Sequence, residues 1–148
     1  MESNSAIWKK LCEDLFSIEE EFNGVVKNIK PGFQEQIVPG KNWSSKDILA
    51  HIVGWENEVI KQFKEFLVNP DADDRYDIDS FNEGSVLSRR NKTWNEIMEE
   101  LKLAREELSE FVSTLSQKDL DAEDRFSEWL GVLIDHYKHH MSQLQKLT

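Results

Sequence analysis

The stretch LGVLIDHYKHHMSQLQKL, residues 130–147, has an apolar residue, a tyrosine or a histidine at every third or fourth position. That spacing predicts a helix with one face directed toward the interior of a bundle. The residues of this face are Leu130, Leu133, His136, Tyr137, His140, Met141, Leu144 and Leu147. A polar ring on such a face destabilises the fold by roughly 1–3 kcal/mol unless it has a partner. His136 and His140 therefore need either hydrogen-bond partners or a shared ligand.

Three further segments show the same helical periodicity, and none alternates apolar and polar residues as a strand does. We therefore predict an all-α four-helix bundle that forms one domain over residues 1–148. The four predicted helices run from about Ser5 to Ile29, from Ser44 to about Asn69, from Thr93 to about Gln117, and from about Glu128 to Lys146.

Capping signals mark the starts of three of these helices. The segments Ser44–Asp47 and Thr93–Glu96 have the spacing of a capping box, and Ser127 is a candidate cap for the last helix. Pro31-Gly32 follows the first helix and predicts its end.

The connectors differ in composition and length. An irregular connector is predicted around Pro39, and an acidic one over Asp119–Phe126. The acidic loop Asp71–Asp77 is followed by a short helical extension that starts near Ser80.

The link between the second and third helices is roughly two dozen residues long, enough to travel the ~30–36 Å length of the bundle. Such a crossover predicts an up-down-down-up order, with the second and fourth helices antiparallel. His51, early in the second helix, is then expected near the level of His136 and His140.

The composition argues against several classes of protein. A net charge of −11 argues against nucleic-acid binding, and no apolar run approaches the ~18–20 residues that cross a bilayer. The N-terminus has no apolar segment of a secretory signal, and the single Cys12 fits a reducing compartment, so we predict a cytoplasmic protein. No motif for a nucleotide, flavin or haem is present.

The three histidines at core-like positions, His51, His136 and His140, allow two interpretations. Neutral imidazoles suit zinc, nickel, copper or iron, and three of them leave a coordination position open for water or substrate. Alternatively, each ring lies at the edge of the core and bonds to a carbonyl or a carboxylate. His139 is one residue off the inward face and is predicted to be exposed.

Three segments of the chain together resemble the DinB-like superfamily. They are Trp43–Ile52 (WSSKDILAHI), the pair Phe81–Glu83 and Trp94–Ile97 (FNE and WNEI), and His136–Leu144 (HYKHHMSQL). The resemblance implies a four-helix bundle in which His51, His136 and His140 hold a divalent metal, with zinc or nickel as the expected ion.

The resemblance also implies a range of activities. Members of the family include thiol-dependent S-transferases and isomerases, and others are similar to hydrolases. We therefore expect a metal-dependent hydrolase or S-transferase that acts on a small electrophilic molecule, the latter with a low-molecular-weight thiol as second substrate.

Several other residues are candidates for roles in such a site, each with a structural alternative. Glu58 is a candidate general base, Tyr137 a hydrogen-bond donor to substrate, and Asp47 either a partner of His51 or only a cap. Arg89 and Arg90 are the available cations for an anionic thiol. Four tryptophans are candidate pocket walls, or plain packing residues: Trp43, Trp55, Trp94 and Trp129.

The alternative function is a non-catalytic stress-response or dimerisation module whose metal is structural or absent. In that interpretation Trp8 and Val26, which lie outside the predicted stripe of the first helix, are exposed and contribute to a homodimer interface.

Overall fold

The computed structural model describes residues 4–38 and 42–148. This part of the chain contains six α-helices and no β-strand, which confirms the all-α prediction. The helices are α1 (Asn4–Lys27), α2 (Ser45–Val68), α3 (Ile78–Leu87), α4 (Trp94–Ser113), α5 (Gln117–Ala122) and α6 (Arg125–Leu144), with short 3₁₀ turns at Pro31–Phe33 and Gln145–Leu147. The connector predicted around Pro39 lies outside the described residues.

Two of the predicted helix starts form as capping boxes. The Ser44 side chain accepts a hydrogen bond from the Asp47 backbone N–H, and the Asp47 carboxylate accepts one from the Ser44 N–H. Thr93 and Glu96 form the same pair of bonds at the start of α4. Each cap stabilises its helix by about 1 kcal/mol, because it satisfies backbone donors that the helix leaves unpaired.

The region before the last helix differs from the prediction. Ser116 forms a third capping box with Asp119, so that α5 replaces the first half of the acidic connector that we expected over Asp119–Phe126. The last helix begins at Arg125, and Ser127 lies inside its first turn rather than at its cap. The local capping bonds of Ser116 explain why a helix forms in so polar a stretch.

Contacts at both ends of α2 and α4 show that these two helices run in the same direction. Near their starts, the Lys46 Nζ donates to the Lys92 carbonyl oxygen at 3.0 Å. Near their ends, the rings of Phe63 and Phe111 lie 6.3 Å apart.

Helices α2 and α6 run in opposite directions. The Phe63 ring packs edge-on against Phe126 with centroids 5.1 Å apart, whereas His51 meets His136 at the other end. These directions agree with an up-down-down-up order, which stays a prediction for the bundle as a whole.

The short helix α3 packs closely against α2 at Gly54. A Cβ atom at this position would overlap the side chain of Ser85, so the two helices approach each other through a position that has no side chain. This contact sets the distance between α3 and the part of α2 that follows His51.

The buried face of α1 includes two residues that we expected to be exposed. Trp8 and Val26 are 9% and 3% exposed, whereas Ile7 is 39% exposed. The apolar stripe can be drawn through either Ile7 or Trp8 at helical spacing, and packing selects the bulkier indole. The prediction that Trp8 and Val26 form a dimer interface is therefore wrong. No described helix is both long enough and apolar enough to cross a membrane.

Candidate metal centre

The antiparallel packing of α2 and α6 brings the three predicted histidines together. His51 lies in the second turn of α2, and His136 and His140 lie one turn apart on α6. The Nε2 of His136 lies 2.7 Å from the Nε2 of His51 and 3.0 Å from the Nε2 of His140. The ligand atoms of all three lie within 4.8 Å of one another.

Two of the three rings are buried, and His136 is partly buried. His51 and His140 are only 4% and 6% exposed, and the Trp43 ring covers His51 with centroids 4.8 Å apart. Burial, followed by the repulsion that a protonated His140 would exert, lowers the pKa of His51 to about 3. Burial likewise lowers the pKa of His136 to about 2. Both rings are therefore neutral near pH 7 and can act as metal ligands.

The hydrogen atoms on the rings cannot satisfy all of these contacts. The Nδ1 of His140 donates to the Gln143 Oε1 at 2.7 Å, because an amide oxygen can only accept, and the Nε2 of neutral His140 then carries no hydrogen. The Nε2 of His136 has either one hydrogen or one lone pair, so only one of its two Nε2 contacts can be a hydrogen bond.

A shared cation explains this arrangement better than a hydrogen-bonded core does. Nitrogen ligands about 2.0–2.1 Å from a tetrahedral zinc ion lie roughly 3.3 Å from one another, so the two Nε2 separations of 2.7 and 3.0 Å seen here need only a small outward shift of the rings. The hydrogen bond of His140 to Gln143 also holds its Nε2 in the form that binds a metal. The donor set therefore fits a divalent metal ion.

The histidines form part of the wall of a pocket of about 750 Å³. Its other walls are mostly aromatic and aliphatic. The lining residues are Trp43, His51, Trp55, Val59, Asp74, Tyr76, Ile78, Asn82, Trp129, Val132, Leu133, Asp135, His136, His139 and His140. Three of the four candidate tryptophans thus line the pocket, whereas Trp94 packs against the core.

The acidic loop and α3 supply part of this wall, which we did not predict. The Asn82 Oδ1 accepts a hydrogen bond from the Trp55 Nε1 at 2.7 Å, and the Tyr76 ring packs against Trp55 at 5.4 Å. Asn82 lies in one of the segments that resemble the family, and Tyr76 is the single aromatic residue between Asn69 and Asp77. Those were the signals available in the sequence.

The two weaker catalytic candidates do not line the pocket. Glu58 accepts a hydrogen bond from the Tyr76 hydroxyl at 2.9 Å and does not line the pocket. Tyr137 is fully buried, and its hydroxyl donates to Glu56 while it accepts from the Arg105 Nε at 3.0 Å. Tyr137 therefore points into the bundle rather than into the pocket.

Glu56 belongs to a buried polar cluster that sequence reasoning missed. Burial raises the pKa of Glu56, and burial together with the charge of Glu56 raises the pKa of Glu19 to about 8. Arg105 supplies the positive charge of the cluster. Together with Tyr137 on α6, the cluster draws its members from α1, α2 and α4.

The remaining candidates have structural partners. Asp47 completes the capping box of α2 with Ser44, and its carboxylate also lies 3.8 Å from the Arg90 Nε. Arg89 pairs with Glu100 at 2.9 Å, and Arg90 lines a neighbouring cavity of about 380 Å³. His139 is exposed, as predicted.

One of the comparisons with known proteins found a match, to a family model. The family model of the DinB superfamily matches residues 17–144, a range that includes all three histidines. Searches of curated proteins and of solved structures found no match. Because the family model covers most of the sequence, the chain belongs to the DinB superfamily.

Proposed function

We propose that this protein is a metal-dependent enzyme that acts on a small electrophilic molecule, with His51, His136 and His140 as the metal ligands. The observation that supports it most is the convergence of three Nε2 atoms in the wall of a pocket of about 750 Å³. Imidazole nitrogen is a borderline-soft ligand, so zinc or nickel is the proposed ion.

A divalent ion bound by three neutral imidazoles supplies a Lewis acid, which lowers the pKa of water or of a thiol and so provides a nucleophile near neutral pH. The protein contributes the rest of the site. Gln143 orients the His140 ring, Trp43 shields His51 from water, and Trp55 and Trp129 offer apolar surface to a substrate. With water as nucleophile the reaction is a hydrolysis, and with a low-molecular-weight thiol it is an S-transfer.

The fold that we propose for the enzyme is an up-down-down-up bundle of α1, α2, α4 and α6. The homodimer and the cytoplasmic location stay predictions.

Metal content and turnover test this proposal. Protein purified without added metal is analysed for its elements, then screened with electrophilic substrates in the presence and absence of a thiol. We expect about one zinc or nickel ion per chain, lost in His140→Ala and kept in His139→Ala, which removes the exposed neighbour. Failure of the wild-type protein to bind more metal than His140→Ala contradicts the proposal. Bound metal without any turnover would favour the structural-metal alternative.

A further inference from the structure

We propose that the pocket beside the three histidines selects a positively charged molecule with an aromatic or branched alkyl body, such as a substituted ammonium compound. The inference rests on the proposed function, because it takes this pocket to be the substrate site.

The charged groups of the pocket wall point to a cation. Apart from the histidines, the charged lining residues are Asp74 and Asp135, and no lysine or arginine lines the pocket among the described residues. The guanidinium of Arg125 lies 3.8 Å from the Asp74 Oδ1. The same guanidinium forms a closer ion pair with Glu123, at 2.7 Å. Its charge is therefore largely balanced by Glu123, so without a metal ion the wall is negative, and with a divalent ion on the histidines the two aspartates offset the charge that the ion adds.

The aromatic wall suits the same ligand. The Tyr76 ring lies 5.4 Å from Trp55 and 5.8 Å from Trp129, at interplanar angles of 61° and 62°. Steeply inclined rings of this kind present both faces and edges to a ligand, and the faces of Trp and Tyr attract cations. A hydrogen bond from the Trp129 Nε1 to the Asp74 Oδ2, at 3.3 Å, places a carboxylate at this wall.

Carboxylates of Glu58 on α2 and of the acidic loop strengthen the negative potential around Tyr76. The hydroxyl of Tyr76 donates to the Glu58 carboxylate, which increases the electron density of the ring. Burial raises the pKa of Tyr76, and the hydrogen bond to Glu58 and the charges of Glu58, Asp74 and Asp73 raise it further. The same carboxylates that oppose a phenolate favour an ammonium group.

The mouth of the pocket has exposed aliphatic side chains, which suit the apolar part of a ligand. Ile78 and Val132 both line the pocket, yet they are 50% and 68% exposed. Exposed aliphatic residues at a pocket rim can be covered by a hydrophobic ligand. Binding of a thiol that carries carboxylates would be disfavoured at this wall, because its negative charges would be repelled by Asp74 and Asp135.

Three probes of similar shape separate charge from size. Benzyltrimethylammonium is the cation, benzyl methyl sulfone is the neutral compound, and phenylmethanesulfonate is the anion. Binding is followed by tryptophan fluorescence, since Trp43, Trp55 and Trp129 line the pocket. The protein is measured at low ionic strength after treatment with a chelator.

We expect the cation to bind the chelator-treated protein about tenfold more tightly than the anion, with the neutral probe between them. The double variant Asp74→Asn, Asp135→Asn should reduce this preference to less than about threefold. The matched control Asp14→Asn, Glu107→Gln also removes two negative charges, but from exposed pairs with Lys10 and Lys64 outside the pocket, and should keep the preference.

Binding of the anion as tight as that of the cation overturns the inference, and so does a preference that the pocket variant and the control variant retain equally. Neither result bears on whether the histidines bind a metal. Conversely, a chain that binds no metal but prefers the cation would overturn the proposed function and leave this charge preference intact.

Discussion

Tyr137 and Glu56 are both fully buried, and the hydrogen bond between them joins α6 to α2, the two helices that carry the histidines. Removal of the hydroxyl in Tyr137→Phe leaves a buried carboxylate without this donor. We expect the free energy of unfolding to fall by roughly 1–3 kcal/mol, measured by urea denaturation at pH 7.

Tyr76→Phe is the matched control for this variant, because its hydroxyl also donates to a glutamate but at a less buried position. We expect the control to lower the free energy of unfolding by less than about 1 kcal/mol. If both variants lowered the free energy of unfolding equally, burial of the Tyr137–Glu56 pair would not account for the effect.

Glu19 should make the protein less stable as the pH rises. Its folded pKa of about 8 lies above the ordinary value of 4.5, so the folded state retains a proton that the unfolded state loses. The resulting stabilisation is complete below about pH 4.5 and is lost as the pH rises through 8. We expect Glu19→Gln to be more stable than the wild type by roughly 1–3 kcal/mol at pH 8.5, and the difference to shrink toward pH 5.

Glu20→Gln serves as the control for this pH effect, since Glu20 is the exposed neighbour of Glu19. Comparison of variant with wild type at each pH removes the separate contribution of the histidines, whose lowered pKa values destabilise the fold as the pH falls below 6.5. A difference between Glu19→Gln and wild type that does not change with pH would rule out the titration of Glu19.

Gln143 should support metal affinity without supporting the fold. Its Oε1 accepts the hydrogen bond that holds the His140 ring, and partners of this kind contribute about 10–100-fold to metal affinity. We expect Gln143→Leu to weaken zinc binding by that factor in a competition with a chromophoric chelator. The exposed Gln145→Ala is the control and should bind zinc as the wild type does. If Gln143→Leu bound zinc as tightly as the wild type, Gln143 would not contribute to metal affinity.

Gly54 should tolerate no side chain while Ser85 faces it. Gly54→Ala forces its new methyl group into Ser85, so we expect a loss of roughly 1–3 kcal/mol in the free energy of unfolding. The double variant Gly54→Ala, Ser85→Gly removes the overlapping atoms and should recover part of that loss, measured by the same denaturation. No recovery in the double variant would show that the overlap is not the cause.

Local chemistry made much of the fold predictable from the sequence. The capping boxes at Ser44 and Thr93 depend only on residues three positions apart, and both formed as predicted. Helix α5 was missed because its apolar content is low, although Ser116 has the same capping signal. The inward face of α1 was misplaced only at Trp8 and Val26, because neighbouring residues fit the helical period almost equally well and only packing distinguishes Ile7 from Trp8.

The convergence of the three histidines was predictable because they occupy positions where apolar residues are expected and because the segments around them resemble the DinB-like superfamily. The other walls of the pocket were not, since Asp74, Tyr76 and Asn82 reach it from a loop and a short helix whose placement depends on contacts distant in sequence. The bond between Glu56 and Tyr137 was missed for a related reason. Nothing near Glu56 in the sequence shows which helix it will face.

Within two turns of α2, four residues face four different parts of the protein. His51 contacts the histidines of α6, and Gly54 packs against α3. Trp55 lines the pocket, and Glu56 bonds to the buried Tyr137. One residue inserted between His51 and Gly54 would rotate everything after it by about 100° around the helix axis. The glycine, the indole and the carboxylate would then all face the wrong neighbours at once. This short segment should therefore accept substitutions far more readily than any change in its length.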